Sequence, residues 1–200
     1  NKHNWDTSYP GVEVLPDGTF VATTYGHWEE AKQPFIVSKR FKLSELDQRA
    51  AGVPQKTTLF ARGENGVHTY RIPALVTSNS GVLIAACDAR INSSGDLPNN
   101  IDTVIRRSTD GGKTWQPIET IVDWSGSEGA ADPCMVVDRK TGRIWCAVTW
   151  AEGVNWRTSR PGFGTDSFHA LLVYSDDDGV TWSETTDVTD SLKDPSWRSI

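Results

Sequence analysis

The sequence predicts an all-β chain of short antiparallel strands joined by tight turns, on two observations. From Thr57 onward, apolar runs of strand length follow one another closely, punctuated by Gly, Asn and Asp pairs, and no stretch holds the period of a long helix. The second observation is a repeat. Ser108-Thr109-Asp110-Gly111-Gly112-Lys113-Thr114-Trp115 and Ser175-Asp176-Asp177-Asp178-Gly179-Val180-Thr181-Trp182 share the pattern Ser-x-Asp-x-Gly-x-Thr-Trp, 67 residues apart. Each copy follows an apolar strand and supplies an Asp to fold back onto turn amides, a Gly for positive φ and a Trp to plug the hairpin base. Repeated hairpins of this kind build radial blades, so a β-propeller is expected. The repeat speaks to architecture and not to chemistry.

Composition narrows the function classes. Of 200 residues, 37% are hydrophobic and 23% charged, which is ordinary for a soluble globular protein. The net charge is −6 and no Lys/Arg run exists, so neither nucleic acid nor an anionic membrane face is an expected partner. An anionic small substrate would need a local cluster of arginines working against the global field. No apolar span has the length of a membrane helix and no signal peptide is visible, although the chain opens on Asn1-Lys2-His3 without a methionine, as if an earlier segment had been removed. Cys87, Cys134 and Cys146 lie in apolar strand-like runs and read as small core hydrophobes, with a Cys134–Cys146 bridge between neighbouring strands left open. No spacing resembles a metal site, and no cofactor is expected.

Taken in order, residues 1–47 form a β-hairpin segment. Val12 to Leu15 and Thr19 to Tyr25 flank a Pro16-Asp17-Gly18 turn, a third strand fits Pro34 to Leu43, and Ser44 to Asp47 reads as one helical turn capped by Ser44. So few strands cannot bury a core unaided, so this segment is either the tail of a preceding domain or a set of propeller-closing strands. Residues 48–56 read as a linker. In residues 57–200, strands are expected at Thr58 to Arg62, Thr69 to Thr77, Val82 to Cys87, Asp102 to Ser108, Ile118 to Asp123, Cys134 to Asp138, Ile144 to Ala151 and His169 to Ser175. Trp5, Trp28, Trp124, Trp145 and Trp197 read as packing or surface aromatics, and His68 and His169 as strand residues.

Within the second of these strands, Tyr70-Arg71-Ile72-Pro73 plants one arginine in an apolar run. A guanidinium there needs an anion, and its planar fork is suited to a carboxylate. Tyr70 to Leu75, an apolar strand ending in Asp88-Ala89-Arg90, a loop carrying Asp96, and Asp102 to Arg107 leading into an Asp box together resemble the start of the exo-α-sialidase (neuraminidase) catalytic domain. The resemblance covers about Thr57 to Ile200. It implies a six-bladed β-propeller of antiparallel sheets, of which the first two to three blades would fit here at a few tens of residues per blade. It implies a glycoside hydrolase that releases terminal sialic acid with retention. Arg71 would be one of three arginines on the substrate carboxylate, and Arg90 would lie near the carboxylate and C4 side. Asp96, in the loop Ile91 to Pro98, would be the general acid and base, and Asp132 would contact the N-acetyl arm. Trp150 and Trp156 would wall the pocket for its methyl.

A loop aspartate can serve as proton donor when substrate excludes water and raises its pKa. Sialidases depart from the two-carboxylate pattern by using a tyrosine nucleophile. An anionic carboxylate beside the anomeric carbon would repel a carboxylate nucleophile, whereas a tyrosine activated by a glutamate avoids that repulsion. That pair and the other two arginines are expected outside this chain. Competing structural readings stand beside these roles: Arg90 as a rim salt bridge to Asp88, Asp96 as a loop cap, Asp132 as a turn starter. Rival functions are a trans-sialidase, a hydrolase of a related keto-sugar acid, and a non-catalytic Asp-box propeller acting as a carbohydrate-binding or scaffold module. The expected partners are sialylated glycans or glycoconjugates and the remaining part of the same propeller, on a second chain or a C-terminal half. The substrate implies a secreted, periplasmic or cell-surface location.

Overall fold

The computed structural model describes residues 10–26, 35–47 and 56–198. Trp5, Trp28 and positions 48–55 of the expected linker lie outside the described residues. Three antiparallel meanders follow one another along the chain. The first runs β1 (Gly11–Val14), β2 (Phe20–Gly26), β3 (Phe35–Phe41) and β4 (Lys56–Phe60). Its first turn closes as the sequence dictates: Asp17 Oδ1 accepts from Thr19 N at 3.0 Å, and Gly18 takes φ 77. The short helix α1 (Leu43–Asp47) begins one residue before the expected cap, so Ser44 lies inside it, and the Glu45 carboxylate accepts from Lys42 N at 2.9 Å. Lys56, placed at the end of the linker, begins β4, which pairs with β3 through Val37 and Thr58. The first sheet therefore draws on both sides of that segment.

The second meander is β5 (Thr69–Thr77), β6 (Leu83–Arg90), β7 (Ile101–Ser108) and β8 (Glu119–Val122). The third is β9 (Glu128–Val137), β10 (Ile144–Glu152), β11 (His169–Ser175) and the short β12 (Thr186–Asp187), followed by a helical turn α2 (Thr189–Leu192). Neither β12 nor α2 carries a sequence signal long enough to be expected. The two meanders meet at a single parallel bridge, Ile101 to Gly129. A Cβ at Gly129 would sit 2.6 Å from Asn99 O and 2.7 Å from Leu97 Cδ2, so only glycine allows this approach.

The meanders stack through shared cores. Leu15, Val21, Ile36 and Phe60 of the first sheet pack with Tyr70, Leu83 and Val104 of the second in one cluster. Val76, Ile84 and Ile105 pack with Val137 and Ile144 of the third in another. β5 lies against β1, β2 and β3 on one side and against β9 on the other. Each fully buried Leu or Ile here contributes about 1.5–3 kcal/mol. The class is all-β, as the strand spacing predicts, and among the described residues no helix is long and apolar enough to cross a membrane.

Both Asp boxes fold alike. Ser108 Oγ donates to Asp110 Oδ1 and accepts from Gly112 N, both at 2.8 Å, while Thr114 gives its N–H and hydroxyl to the Asp110 carboxylate at 2.9 and 2.7 Å. Ser175, Asp177, Gly179 and Thr181 repeat these bonds at 2.8, 2.8, 2.8 and 2.6 Å. The cysteines are all free, and the ladder explains why. Cys134 faces Ala147 and Cys146 faces Met135, so the two sulfurs are offset by one register position and point to opposite faces. The bridge left open by the sequence does not form, and Cys134 is exposed and no core residue.

Candidate active site

β7 begins beside Arg90 and ends at Ser108 in the first Asp box; β11 likewise runs from His169 to Ser175 in the second. The ends of these strands away from the boxes carry the candidate site. Two β-bulges shape it. On β5, Arg71 pairs with Asp88 and the next pair is Ala74 with Ala86, so Ile72 and Pro73 face Cys87 alone. Ile72 takes φ 54, a conformation that β-branched residues rarely adopt and that concentrates at functional sites. On β9, the pairing steps from Cys134–Ala147 to Ala131–Thr149, leaving Asp132 and Pro133 opposite Val148, and Asp132 takes φ 59. Arg71 and Asp132 are thus each re-aimed by an extra residue in a strand. The Arg71 guanidinium donates to Tyr25 Oη at 2.9 Å and lies over that ring, with Cζ 5.5 Å from its centroid.

Every position of β6 is buried, so the two charges at its end must satisfy each other. Asp88 Oδ2 accepts from Arg90 Nε at 3.2 Å and from Nη2 at 3.0 Å. The remaining directions of the Arg90 fork meet the Asp96 loop: Nη1 donates to the carbonyls of Ser94 at 3.2 Å and Gly95 at 3.0 Å, and Nη2 stands 3.5 Å from Asp96 Oδ1. Arg90 does pair with Asp88, but both side chains are fully buried, so the pair is no rim salt bridge. Asp88 Oδ1 accepts from Asp132 N at 2.8 Å.

The Asp96 side chain is 66% exposed, while its neighbour Leu97 is buried with Ile101, Ala131, Ala151 and Phe168. That small cluster ties the loop to the strand carrying Asp132. Beside it opens a cavity of about 420 Å³, lined by Asp96, Leu97, Asp132, Asn155, Trp156, Arg157 and Phe168. Asp88 and Asp132 are pushed towards the neutral form. Burial drives Asp88 up to about 7, opposed by Arg90 and reinforced by Asp132. Asp132 is also raised, first because surrounding protein desolvates it although its surface opens to the cavity, then by the Asp96 charge, with Arg90 and Arg71 holding it down.

The two tryptophans part company. Trp156 lines the cavity, 67% exposed, with the Arg157 guanidinium over its ring at 4.7 Å. Trp150 does not line it. β10 buries Ile144, Cys146 and Val148, and Trp150 continues that face by alternation, packing at 5.9 Å from Trp124 and edge-on to His169 at 5.1 Å. Sequence reasoning passed over Asn155, Arg157 and Phe168, which a loop rich in polar residues after an apolar strand could have flagged. It also passed over Tyr25, whose place in the buried alternation Val21, Thr23, Tyr25 was readable. Lys193, buried, donates to Gly162 O at 2.8 Å, to Phe168 O at 3.1 Å and to Ser167 Oγ, and so staples the loop that delivers Phe168.

Residues 72–200 match the model of the BNR repeat-like domain. The chain is 38% identical over 147 residues to a sialidase of Bacteroides fragilis, covering 68% of this chain and 27% of that protein. It is 39% identical over 149 residues to a sialidase of Micromonospora viridifaciens, covering 70% of this chain and 23% of that one. Among solved structures, the Hadza microbial sialidase Hz136 superposes with a TM-score of 0.67 at 34% identity, over 90% of this chain and 35% of its own. The chain thus spans about a quarter of the length of these two relatives. With its two Asp boxes and the matched span, this chain belongs to the BNR repeat-like family, and the relatives it matches are sialidases.

Proposed function

We propose that the complete protein is a retaining exo-sialidase that removes terminal sialic acid from glycoconjugates, and that this chain supplies part of its site. The observation that carries this reading is the cavity that Asp96, Asp132 and Trp156 line together, with Arg90 holding the Asp96 loop beside the bulge that bears Arg71. Asp96 presents a solvent-accessible carboxylate at the cavity edge, where it can protonate a leaving glycosidic oxygen once substrate displaces water. Arg71 sits where its fork can meet the substrate carboxylate from the Tyr25 side. Asp132 and Trp156 supply a polar and an apolar wall for the N-acetyl arm. The Tyr/Glu nucleophile pair and two further arginines would come from the rest of the protein, which the shorter span of this chain leaves room for.

The architecture we infer is a six-bladed propeller to which the meanders β5–β8 and β9–β12 contribute blades. The β1–β4 sheet belongs to the same ring as propeller-closing strands, supported by the core it shares with the second meander. Sialylated glycans as substrate place the protein outside the cell or at its surface. The test is release of sialic acid from sialyl-lactose by the complete protein, with and without Asp96→Ala. Loss of general acid help slows such hydrolysis by about 10²–10⁴-fold. A wild-type protein that binds sialyl-lactose without cleaving it would assign the non-catalytic module instead, and an Asp96→Ala enzyme with full activity would remove Asp96 from the chemistry.

A further inference from the structure

Asp88 is an acid inside an otherwise apolar strand, Leu83-Ile84-Ala85-Ala86-Cys87-Asp88-Ala89, and it is fully buried. An unpaired carboxylate there would bear the full penalty of desolvation, so both oxygens must be used. They are, and each goes to a different part of the site. Oδ2 receives the Nε and Nη2 edge of Arg90, which turns Nη1 onto the Ser94 and Gly95 carbonyls and holds Nη2 itself 3.5 Å from Asp96 Oδ1. Oδ1 receives the N–H of Asp132 at the β9 bulge, where the backbone takes its left-handed turn. Across the β5 ladder Asp88 stands opposite Arg71.

We propose that Asp88 is the positioning residue of the site: one buried carboxylate that sets Arg90, through Arg90 the Asp96 loop, and directly the backbone of Asp132. The proposal rests on the reading of Asp96 as the proton donor. Asp88 itself touches no substrate, since it is closed off beneath Arg90 and β9. The charged groups that face it are Arg90 on its own strand, Arg71 across β5, Asp132 on β9 and, beyond Arg90, Asp96. Burial pushes its carboxyl upward, in keeping with a group held for its geometry inside the fold.

Asp88→Asn keeps the shape and an acceptor for Asp132 N but removes the charge that fixes Arg90. In the complete protein, the expected loss of kcat is about 100-fold on sialyl-lactose, whose leaving group needs its proton, and under about 10-fold on an aryl sialoside with an acidic phenol leaving group, with KM little changed on either. Equal losses on both substrates would overturn the proposal, because a merely structural defect does not sort substrates by leaving group. Hydrogen exchange provides a second readout that does not depend on turnover. Amides of the Ile91 to Asn100 loop should exchange faster in Asp88→Asn, while the Ser108 to Trp115 hairpin stays as in the wild type. If the wild-type protein cleaves neither substrate, the sialidase reading falls alone and exchange decides: an unchanged Asp96 loop overturns the positioning role, a loosened one sustains it.

Discussion

The two ends of these strands solve opposite problems with the same side chain. At the Asp-box end, Asp110 is half-buried and Asp177 exposed, and each carboxylate finds its partners within eight consecutive residues, Ser108 to Trp115 or Ser175 to Trp182. At the cavity end, Asp88 is buried and its partners come from β6 and from β9, 44 residues away. The hydrogen bonds of the turn pull the carboxyls of Asp110 and Asp177 down, Thr114 and Thr181 contributing most, whereas desolvation pushes those of Asp88 and Asp132 up. One end is a local motif that holds a hairpin shut; the other is a long-range assembly kept under electrostatic tension. Local hydrogen bonds make one end a part of the fold, whereas carboxylates raised by desolvation mark the end that carries the candidate site.

A pair of substitutions, one at each end, separates the two most strongly. Arg71→Ala in the complete protein should weaken carboxylate-bearing inhibitors by about 30-fold or more, because a lost charge-paired contact costs about 2–5 kcal/mol, while the thermal midpoint moves little. Asp177→Ala should do the reverse: a midpoint lowered by a few degrees with inhibitor affinity kept. Inhibition constants and melting curves on both variants decide it. Affinity lost in Asp177→Ala would show that the box end acts on the site after all. A smaller contrast lies between the two tryptophans. Trp150→Ala should lower stability by roughly 3 kcal/mol through its core contacts. Trp156→Ala, at the cavity, should leave stability within about 0.5 kcal/mol and raise KM instead.

What could be read from the sequence follows the same division. The Asp boxes were legible because all their partners are near in sequence, and β5 and β11 because alternation and turn residues bound them on both sides. Arg71, Asp96 and Asp132 were singled out by resemblance, whereas the contacts that join them could not be read. Asp88 was seen only as a salt-bridge partner for Arg90, since nothing in a strand's own sequence tells that a second strand will bring the Asp132 amide to its other oxygen. Trp150 and Trp156 look equally apolar on the page. Their fates differ because one continues the buried face of β10 and the other falls in the loop beyond it. The bulges at Ile72 and Asp132 hide for a similar reason: an extra residue is defined only against a partner strand.

Acid titration separates the two ends most finely. Asp110 and Asp177 have carboxyls lowered in the fold, so their stabilising contribution is present above the ordinary carboxylate range and is lost as pH falls through their folded values. Asp88 is raised, from 3.8 to about 7, so its contribution runs the other way: it is full below the unfolded value and is lost as pH rises towards about 7. Melting curves of the complete protein between pH 2 and pH 8 should therefore respond in two windows. Replacing Asp110 and Asp177 by Asn should flatten the fall of stability below about pH 4 and leave the region above it alone. Asp88→Asn should flatten the dependence between about pH 4 and pH 7 and leave the acid limb as in the wild type. If both replacements acted in the same window, the carboxylates of the two ends would not be poised in opposite directions. The division between a self-contained hairpin and a charge-strained site would then have no electrostatic basis.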